Sequence, residues 1–386
     1  MKIAFITTYD AQNISNWSGT PYYMSKAFLD AGTNIEFIGN LNSIPEKNLI
    51  LRLRNIFYNK ILKKRGRYVH FYEPQNLKYI ANQVLAKIEK ADIDIIFSPG
   101  AIPISYLKTN IPIVLWTDAT FALMEDYYSS FRGLNKRTIK NCHSYEKKVF
   151  QKISLAIFSS KWAANSSIKD YGLDPKKVIE IPYGANIECN RSVNEIIGLN
   201  NKKSFTICKL LFIGQDWIRK GGDTAVKIAI ELNKQNINTE LTIVGCLPPC
   251  ESLLPSFIKV VGFVDKSLKE GEILINHLYS ESHFFILPTI AECTPIVFSE
   301  ANSYGLPVIT TNTGGISSII KNDVNGKMFD IEVDVCACAE YLGDIFKDFN
   351  RYKAYSLKSF NEYLTRLNWK SSIDKVISAL KNYEKK

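Results

Sequence analysis

One stretch of the chain indicates how it folds: KLLFIGQDWIRKGGDTAVKIAIEL, residues 209–232. Its first part, KLLFIGQ, is a continuous apolar run, and its last part, DTAVKIAIEL, carries apolar residues at helical spacing. An apolar run without polar residues at alternate positions is typical of a parallel strand that is covered on both faces. The stretch therefore predicts a strand, a short loop and a helix, which together are the repeating unit of a doubly wound sheet.

The same unit recurs along almost the whole chain, in two series. The apolar runs of the first series lie at 2–8, 34–40, 94–100, 111–118, 154–160 and 178–184. Those of the second lie at 209–215, 239–245, 258–264, 283–289 and 307–315. The pattern predicts an α/β protein with two doubly wound, Rossmann-like lobes. Ligands of such sheets bind beyond the carboxyl ends of the strands, so we expect a site in a cleft between facing lobes.

The domain limits follow from this pattern. Residues 187–205 are polar and rich in Asn, which predicts a linker. We expect a first lobe over 1–190 and a second lobe over 191–365. After about residue 333 the sequence is helical, and the last segment, 366–386, has apolar residues on one helical face.

Composition and charge exclude several classes of protein. The 386 residues are 46% hydrophobic and 22% charged, which excludes a largely disordered chain, and no apolar run approaches the ~18 residues of a membrane-spanning helix. The start, MKIAFITTYD, predicts a strand rather than a signal peptide.

Eight cysteines without disulfide-module or zinc spacing predict reduced thiols in a cytoplasmic protein. The net charge of +10 favours an anionic partner and leaves phosphate-rich small molecules, anionic lipid and nucleic acid open.

Two adjacent cations, Arg219 and Lys220, follow the first strand of the second series and precede Gly221 and Gly222. Cationic side chains and the N–H groups of a helix N-terminus together bind phosphate. A pair of solvated cations at a turn is the alternative, but the preceding strand and the two glycines favour a phosphate site. We expect both side chains in an exposed loop.

A second polar group lies in PTIAECTPIVFSEANSYGLPVITTNTGG, residues 288–315. Glu292 is predicted in the loop after a strand, and Glu300 on the helix that follows. Carboxylates in such positions accept hydrogen bonds from sugar hydroxyls, although simple solvation is the alternative for either glutamate. The TGG triplet at 313–315 predicts a further loop rich in N–H groups and suited to phosphate.

In their order and spacing these elements resemble the retaining glycosyltransferases of family four, which have the GT-B fold. The resemblance covers nearly the whole chain. It implies that Lys220 binds the donor diphosphate, that Glu292 works around the transferred sugar, and that Glu300 of the Glu-x7-Glu motif binds the nucleotide ribose. Val264 lies in the loop expected to contact the base, and Gly19 corresponds to the family's N-terminal glycine loop.

The sequence departs from the family pattern in four places. Gln215 stands where many members carry a phosphate-binding Arg, so Arg219 is expected to supply that second charge. CTP at 293–295 replaces the usual Gly-x-Gly, and its proline removes one backbone donor. Ser318 stands where a glutamate usually follows the two glycines. Of the family's His-Asp pair in the first lobe, only Asp118 remains.

The resemblance implies transfer of a sugar from a nucleotide-diphosphate donor to a hydroxyl acceptor, with retention of anomeric configuration. It implies a hexosyltransferase that acts in polysaccharide, lipopolysaccharide or glycolipid assembly, on a sugar or lipid-linked acceptor. In the front-face route of such enzymes a leaving phosphate oxygen takes up the acceptor's proton, while protein groups supply positioning and charge stabilisation. A UDP-sugar is favoured over a GDP-sugar as donor, and no cofactor is expected.

The residues implied by the resemblance fall into two groups, and the final segment, 366–386, is expected to cross back onto the first lobe. The expected catalytic residues are Asp118, Arg219, Lys220 and Glu292. The expected donor-binding residues are Gly19, Gln215, Arg219, Lys220, Val264, Glu292, Cys293, Thr294, Pro295, Ile296, Glu300, Thr313, Gly314 and Gly315.

Other functions fit parts of the pattern. A nucleotide-sugar epimerase or hydrolase on the same fold is the nearest alternative. A nicotinamide dehydrogenase requires Gly-x-Gly-x-x-Gly after the first strand, where the chain has only Gly19. A non-enzymatic, two-lobed ligand-binding protein does not require the Arg-Lys-Gly-Gly and Glu-x7-Glu pair. Asp92-x-Asp94 has the form of a metal motif, but it opens a buried strand, so we favour a capping role and predict no metal site.

Residues 52–67, RLRNIFYNKILKKRGR, carry seven basic and no acidic side chains. Apolar residues on one side of a helix there are compatible with peripheral contact with an anionic membrane, at the inner face of the cell membrane, and hence with a lipid-linked acceptor. A solvated cationic face over a core stripe is an equally weighted alternative. Nucleic acid is disfavoured, because no recognised binding module surrounds the stretch.

Overall fold

The computed structural model describes residues 1–45, 48–61, 66–250 and 254–384. Contacts divide the chain into two units. The first comprises Met1–Ile181 with the chain end from Ile373, and the second comprises Pro182–Ser372. The predicted domain limits at 190/191 and 365/366 stay predictions.

The first unit is built on a parallel sheet of six strands. Its strands are β1 (Lys2–Ile6), β2 (Asn34–Ile38), β3 (Ile95–Ser98), β4 (Ile113–Thr117), β5 (Leu155–Phe158) and β6 (Val178–Glu180), in the order β2-β1-β3-β4-β5-β6. Its helices are α1 (Thr20–Asp30), α2 (Leu49–Ile56), α3 (Pro74–Ile88), α4 (Phe121–Met124), α5 (Lys136–Lys152) and α6 (Lys161–Lys169). Strands β3 to β5 are almost wholly buried, because apolar side chains point to both faces of the sheet.

The second unit repeats this plan. Its strands are β7 (Cys208–Ile213), β8 (Thr239–Val244), β9 (Ile258–Gly262), β10 (Phe284–Leu287), β11 (Val308–Thr311) and β12 (Gly326–Phe329), in the order β12-β11-β10-β7-β8-β9. Its helices are α7 (Val193–Lys202), α8 (Trp217–Lys220), α9 (Gly222–Lys234), α10 (Lys269–Glu281), α11 (Ile296–Asn302), α12 (Val335–Lys347) and α13 (Phe349–Arg366). The last helix, α14 (Trp369–Glu384), closes the described chain.

Most of this architecture agrees with the sequence prediction. Each predicted apolar run coincides with a parallel strand, and the chain after about residue 333 is helical, as predicted. The strand β12 was not predicted, because its four residues GKMF are largely half-buried at the edge of the sheet and do not form an apolar run. The two doubly wound, Rossmann-like sheets are confirmed.

The predicted linker over 187–205 is wrong, because this segment contains α7. A capping box begins the helix: the Ser192 side chain accepts a hydrogen bond from the Glu195 backbone N–H, and the Glu195 carboxylate accepts one from the Ser192 backbone N–H at 2.7 Å. Ile196 is fully buried and packs against aromatic residues of α13. The segment is therefore part of the core of the second unit.

Ile196→Ala should lower the free energy of unfolding by about 2–5 kcal/mol, because it leaves a cavity under α7. Val193→Ala on the same helix is the matched control and should change it little, because the Val193 side chain is 46% exposed. Urea unfolding followed by tryptophan fluorescence measures both variants. Equal stability of the Ile196 variant and the parent would contradict the packed role of α7.

Candidate active site

The junction between β7 and β10 is the place where the second sheet reverses its strand order. β7 pairs with β10 on one side and with β8 on the other. In open parallel sheets such a junction marks the ligand site, because the loops that leave the two strands diverge there. The chain after β7 carries Arg219 and Lys220, and the loop after β10 carries Glu292.

Arg219 and Lys220 lie in the short helix α8, and not in the exposed loop that the sequence predicted. Asp216 begins this helix by accepting a hydrogen bond from the Arg219 backbone N–H at 3.0 Å. Gly221 follows with φ +77°, and a Cβ there would lie 2.0 Å from the carbonyl oxygen of Pro288. Glycine is therefore required where α8 meets the end of β10. This close packing leaves the Lys220 side chain only 13% exposed.

The side chains of Arg219 and Lys220 converge on one oxygen of Glu292. Arg219 Nη1 donates to Glu292 Oε1 at 2.9 Å, and Lys220 Nζ donates to the same oxygen. The Glu292 side chain is 7% exposed, so two cations compensate one buried carboxylate. Asp216 lies 3.5 Å from Arg219 Nε, but it is 46% exposed and solvent screens its charge. Arg219, Lys220 and Glu292 together carry a formal charge of +1 at the carboxyl end of the sheet, which favours an anion.

Hydrogen bonds tie three loops around this cluster. The backbone N–H of Ile290 donates to the Arg219 carbonyl at 2.8 Å, and that of Gly315 donates to the Glu292 carbonyl at 3.2 Å. The Thr313 hydroxyl donates to the Ile290 carbonyl at 3.3 Å. These hydrogen bonds connect the segments that follow β7, β10 and β11. They hold the predicted glycine loop, residues 313–315, beside Glu292.

Glu300 lies on α11, as predicted, and forms a second charged cluster with partners of its own. Its side chain is 2% exposed. Lys266 Nζ donates to Glu300 Oε1 at 2.7 Å, and the Tyr279 hydroxyl donates to Oε2 at 3.0 Å. Burial and the adjacent carboxylate raise the pKa of Tyr279, so the phenol stays protonated and remains a donor. Each oxygen of the Glu300 carboxylate therefore has a partner within the second unit.

Sequence reasoning missed three residues around these clusters. Lys266 lies two positions after Val264, so the predicted base loop was close enough in sequence to suggest it. Tyr279 on α10 gave no signal, because only the fold brings that helix to α11. Cys246 follows β8: burial and the Asp216 carboxylate raise the pKa of its thiol while Lys220 lowers it, which places the loop after β8 beside the cation cluster.

The remaining predicted donor-binding residues of the second unit follow the ends of strands. Gln215 is exposed after β7. Val264 is half-buried against the core, next to Phe263, an aromatic side chain that is 69% exposed. The residues between Glu292 and α11, with the first residue of that helix, are buried or half-buried: Cys293, Thr294, Pro295 and Ile296.

The first unit contributes two predicted residues. Its strand order reverses between β1 and β3, and the loop after β1 ends at Gly19, which has φ +82° at the start of α1. Asp118 directly follows β4 and is half-buried. Burial, with the Asp118 carboxylate nearby, raises the pKa of Tyr9 in the β1 loop. Tyr9 therefore lies close to Asp118, and the sequence analysis did not select it.

Asp92 and Asp94 have the form of a metal motif in the sequence. In the structure, Asp94 has a structural role. Asp94 Oδ2 accepts a hydrogen bond from the Lys2 backbone N–H at 2.6 Å, and the terminal amino group lies 3.8 Å from the same oxygen.

Within the ranges that the structure describes, no group of three or more His, Cys, Asp or Glu side chains is arranged to hold a metal ion. None of the described helices combines the length and apolar character that crossing a membrane requires.

Residues 201–362 match the family model of glycosyl transferases group 1. This group 1 region contains Arg219, Lys220, Glu292 and Glu300, so both charged clusters lie within it.

Two curated relatives of the chain are also named as glycosyltransferases. A D-inositol 3-phosphate glycosyltransferase of Paenarthrobacter aurescens is 26% identical over 196 residues, 48% of this chain and 47% of that protein. A UDP-Gal:alpha-D-GlcNAc-diphosphoundecaprenol alpha-1,3-galactosyltransferase of Escherichia coli is 27% identical over 180 residues, 42% of this chain and 44% of that protein. The aligned part of the chain therefore spans about half the length of the curated relatives that it matches.

A solved structure extends the likeness to the whole chain. Sucrose-phosphate synthase from Thermosynechococcus elongatus superposes with a TM-score of 0.68 at 15% identity, over 99% of this chain and 98% of that chain. At this identity the likeness shows the fold alone. The predicted GT-B fold, with two Rossmann-like lobes, is confirmed.

Gly221→Ala should destabilise the protein by at least about 2 kcal/mol, because positive φ costs a Cβ-bearing residue ~1–2 kcal/mol and the added carbon meets a backbone oxygen. Gly198→Ala in α7 is the matched control: apart from its chain neighbours and the backbone of its own helix, no atom lies within 4 Å of its added Cβ. That control should be neutral or stabilising by ~0.5–1 kcal/mol. Thermal and urea unfolding measure both, and equal stabilities would contradict the close packing of α8 on β10.

Proposed function

We propose that this protein is a retaining glycosyltransferase of family four, of the hexosyltransferase type, acting on a nucleotide-diphosphate sugar. The observation that carries the proposal is the cluster of Arg219, Lys220 and Glu292 at the junction of β7 and β10. Two cations anchored on one buried carboxylate supply a fixed positive field where the ligand loops of the sheet meet. The match of residues 201–362 to glycosyl transferases group 1 supports the same assignment.

In the proposed reaction, Arg219 and Lys220 bind the donor diphosphate and offset the charge that develops as it leaves. The bond between the anomeric carbon and the phosphate oxygen breaks while the acceptor oxygen bonds to that carbon from the same face. An oxygen of the leaving phosphate takes the acceptor's proton. Because Glu292 already holds both cations in place, little reorganisation accompanies the reaction. The cations supply the neutralisation that other enzymes obtain from a divalent ion, so we propose metal-independent transfer.

Donor recognition is assigned to the loops that follow the strands of the second sheet. We assign Glu292 to the transferred sugar and Glu300 to the ribose, and Val264 contacts the base through its backbone. A carboxylate oxygen accepts more than one hydrogen bond, so Glu300 can bind ribose hydroxyls while it keeps Lys266 and Tyr279. A UDP-sugar is the favoured donor, which the UDP-Gal donor in the name of the Escherichia coli relative supports.

The acceptor is assigned to the first unit, where Asp118 and Tyr9 offer a carboxylate and a phenol close together. A carboxylate there orients an acceptor hydroxyl by accepting its hydrogen bond. The diphosphoundecaprenol acceptor in the name of the Escherichia coli relative supports a lipid-linked acceptor. We therefore place the reaction in polysaccharide, lipopolysaccharide or glycolipid assembly.

Incubation with UDP-glucose, UDP-galactose and UDP-N-acetylglucosamine, with and without lipid-linked glycan acceptors, tests the assignment against its alternatives. A transferase releases UDP faster when an acceptor is present, and NMR of the product shows the anomeric configuration of the donor. An epimerase yields a new nucleotide sugar, and a hydrolase releases UDP at a rate that is independent of acceptor. Either of these results would overturn the proposal.

Lys220→Met should lower the transfer rate by about 10²–10³, because it removes one cation from the leaving diphosphate. Methionine keeps an apolar stem against Gly214, where a Cβ would lie 2.9 Å from the Lys220 chain. Lys234→Met is the matched control, since that side chain is 68% exposed and paired with Glu231. Initial rates at saturating donor measure both, and turnover near that of the parent in the Lys220 variant would refute the diphosphate role.

Glu300→Gln should weaken UDP binding by about 10–100-fold, because hydrogen bonds to a charged acceptor contribute ~1.5–3 kcal/mol. A ribose ligand acts in ground and transition states alike, so KM should rise while kcat changes less. Glu281→Gln, on a surface carboxylate 3.0 Å from Lys209 Nζ, is the control and should bind UDP as the parent does. Calorimetric titration with UDP gives both affinities, and equal values would exclude Glu300 from the ribose site.

A further inference from the structure

A row of apolar side chains lies exposed along α2 and the turn that follows it. The chain continues from α2 as a wider helical turn, Phe57–Ile61. We name these residues, 49–61, the α2 segment. Between 38% and 68% of each side chain in the row is exposed, and the row consists of Leu49, Ile50, Leu53, Ile56, Phe57 and Ile61. Helical spacing of three to four residues puts them on one stripe, which surface helices normally turn towards the core.

The other side of the α2 segment is fixed to the first unit. Leu51 is 4% exposed. Arg54 Nη1 donates to Glu73 Oε2 at 3.0 Å, and the ring of Tyr58 stacks on Tyr68 with 4.8 Å between centroids. The segment therefore has a defined inner face, and the apolar row is its outer face.

The anchor of this inner face is itself firmly held. The Glu73 side chain is 1% exposed. Arg137 donates to both of its oxygens, at 2.6 and 2.7 Å, and Asn141 Nδ2 donates at 3.0 Å. Because Glu73 has these partners, Arg54 is held towards the body of the unit, and the segment cannot simply rotate to bury its apolar row.

The charged side chains of the α2 segment are all basic. Arg52 and Lys60 are exposed, and residues 48–61 contain no acidic side chain. Of the basic stretch predicted over 52–67, residues 62–65 lie outside the described residues, so the inference rests on 48–61. Apolar side chains flanked by cations without any carboxylate match the surface of a bilayer with anionic headgroups better than they match a protein partner, which offers both signs of charge.

We propose that the outer face of the α2 segment docks on a lipid bilayer that contains anionic headgroups. The apolar row enters the boundary between headgroups and acyl chains, while Arg52 and Lys60 contact the headgroup charges. This inference goes beyond the proposed glycosyltransferase function and does not depend on it, since binding to lipid requires no donor or acceptor.

Co-sedimentation of the full chain with vesicles tests the proposal. The probes are vesicles of equal parts phosphatidylglycerol and phosphatidylcholine, and vesicles of phosphatidylcholine alone. We expect binding to the anionic vesicles at low salt, little binding to the neutral ones, and weaker binding as salt screens the cations. Absence of binding to anionic vesicles at low salt would overturn the proposal.

Two sets of variants locate the contact. Leu53→Ser, Phe57→Ser and Ile61→Ser together should lower the partition coefficient by about a hundredfold or more, because three apolar side chains no longer enter the bilayer. Arg52→Gln with Lys60→Gln should lower it by about fivefold per cation, or ~1 kcal/mol each. The matched control replaces exposed apolar residues of the second unit with serine: Ile273, Ile331 and Leu364.

The fold of the variants and the vesicle binding of the control decide between the possible outcomes. All substituted side chains are exposed, so circular dichroism and Tm should match those of the parent. Vesicle binding like that of the parent in the Leu53, Phe57 and Ile61 variant would overturn the proposal, as would an equal loss in the control variant. A dimer in sedimentation velocity that this variant dissociates, without vesicle binding by the parent, would instead assign the face to a second copy of the chain. Vesicle binding without sugar transfer would leave this inference intact and count against the proposed function alone.

Discussion

The arrangement of the second unit depends on one buried carboxylate, Glu292, and the two cations that hold it. A buried carboxylate without a partner costs on the order of several kcal/mol, so Arg219 and Lys220 stabilise the loop after β10 in this position by pairing with Glu292. Those cations lie on α8, which follows the neighbouring strand β7 on the other side of the point where the strand order reverses. The positive field at the end of the sheet is therefore a consequence of the same contacts that fix the loops.

Two glycines allow close packing around α8. A Cβ at Gly214 would lie 2.9 Å from the stem of Lys220, and a Cβ at Gly222 would lie 2.4 Å from the ring of Trp217. Because neither glycine carries a Cβ, the Lys220 side chain packs directly on the backbone of Gly214, and the Trp217 ring packs directly on that of Gly222. Gly214 and Gly222, which flank the two cations, thus allow close packing around a candidate phosphate site, and this packing supports the phosphate role because it restricts the movement of Lys220.

The sequence predicted the regular parts of this molecule and missed the parts that depend on contacts between distant elements. Continuous apolar runs located every strand except β12, whose residues are mostly half-buried at a sheet edge. The polarity of 187–205 hid α7, although the Ser192–Glu195 capping box was readable and only the burial of Ile196 was not. Arg219 and Lys220 were predicted as one phosphate-binding pair and Glu292 as part of a separate element, yet their convergence on a single oxygen follows from the β7–β10 pairing, which no local pattern encodes. The partners of Glu300 were missed for the same reason, since Lys266 and Tyr279 reach it from two other elements.

We propose that the Arg219–Lys220–Glu292 cluster binds a nucleoside diphosphate through its phosphates. Calorimetric titration of the parent protein with uridine, UMP and UDP at fixed ionic strength tests it most directly, because the three ligands share a base and ribose and differ only in phosphate. We expect weak binding of uridine, a higher affinity for UMP and a still higher affinity for UDP, with the UDP affinity falling steeply as salt is raised. Equal affinity for uridine and UDP, or no binding of UDP, would contradict it.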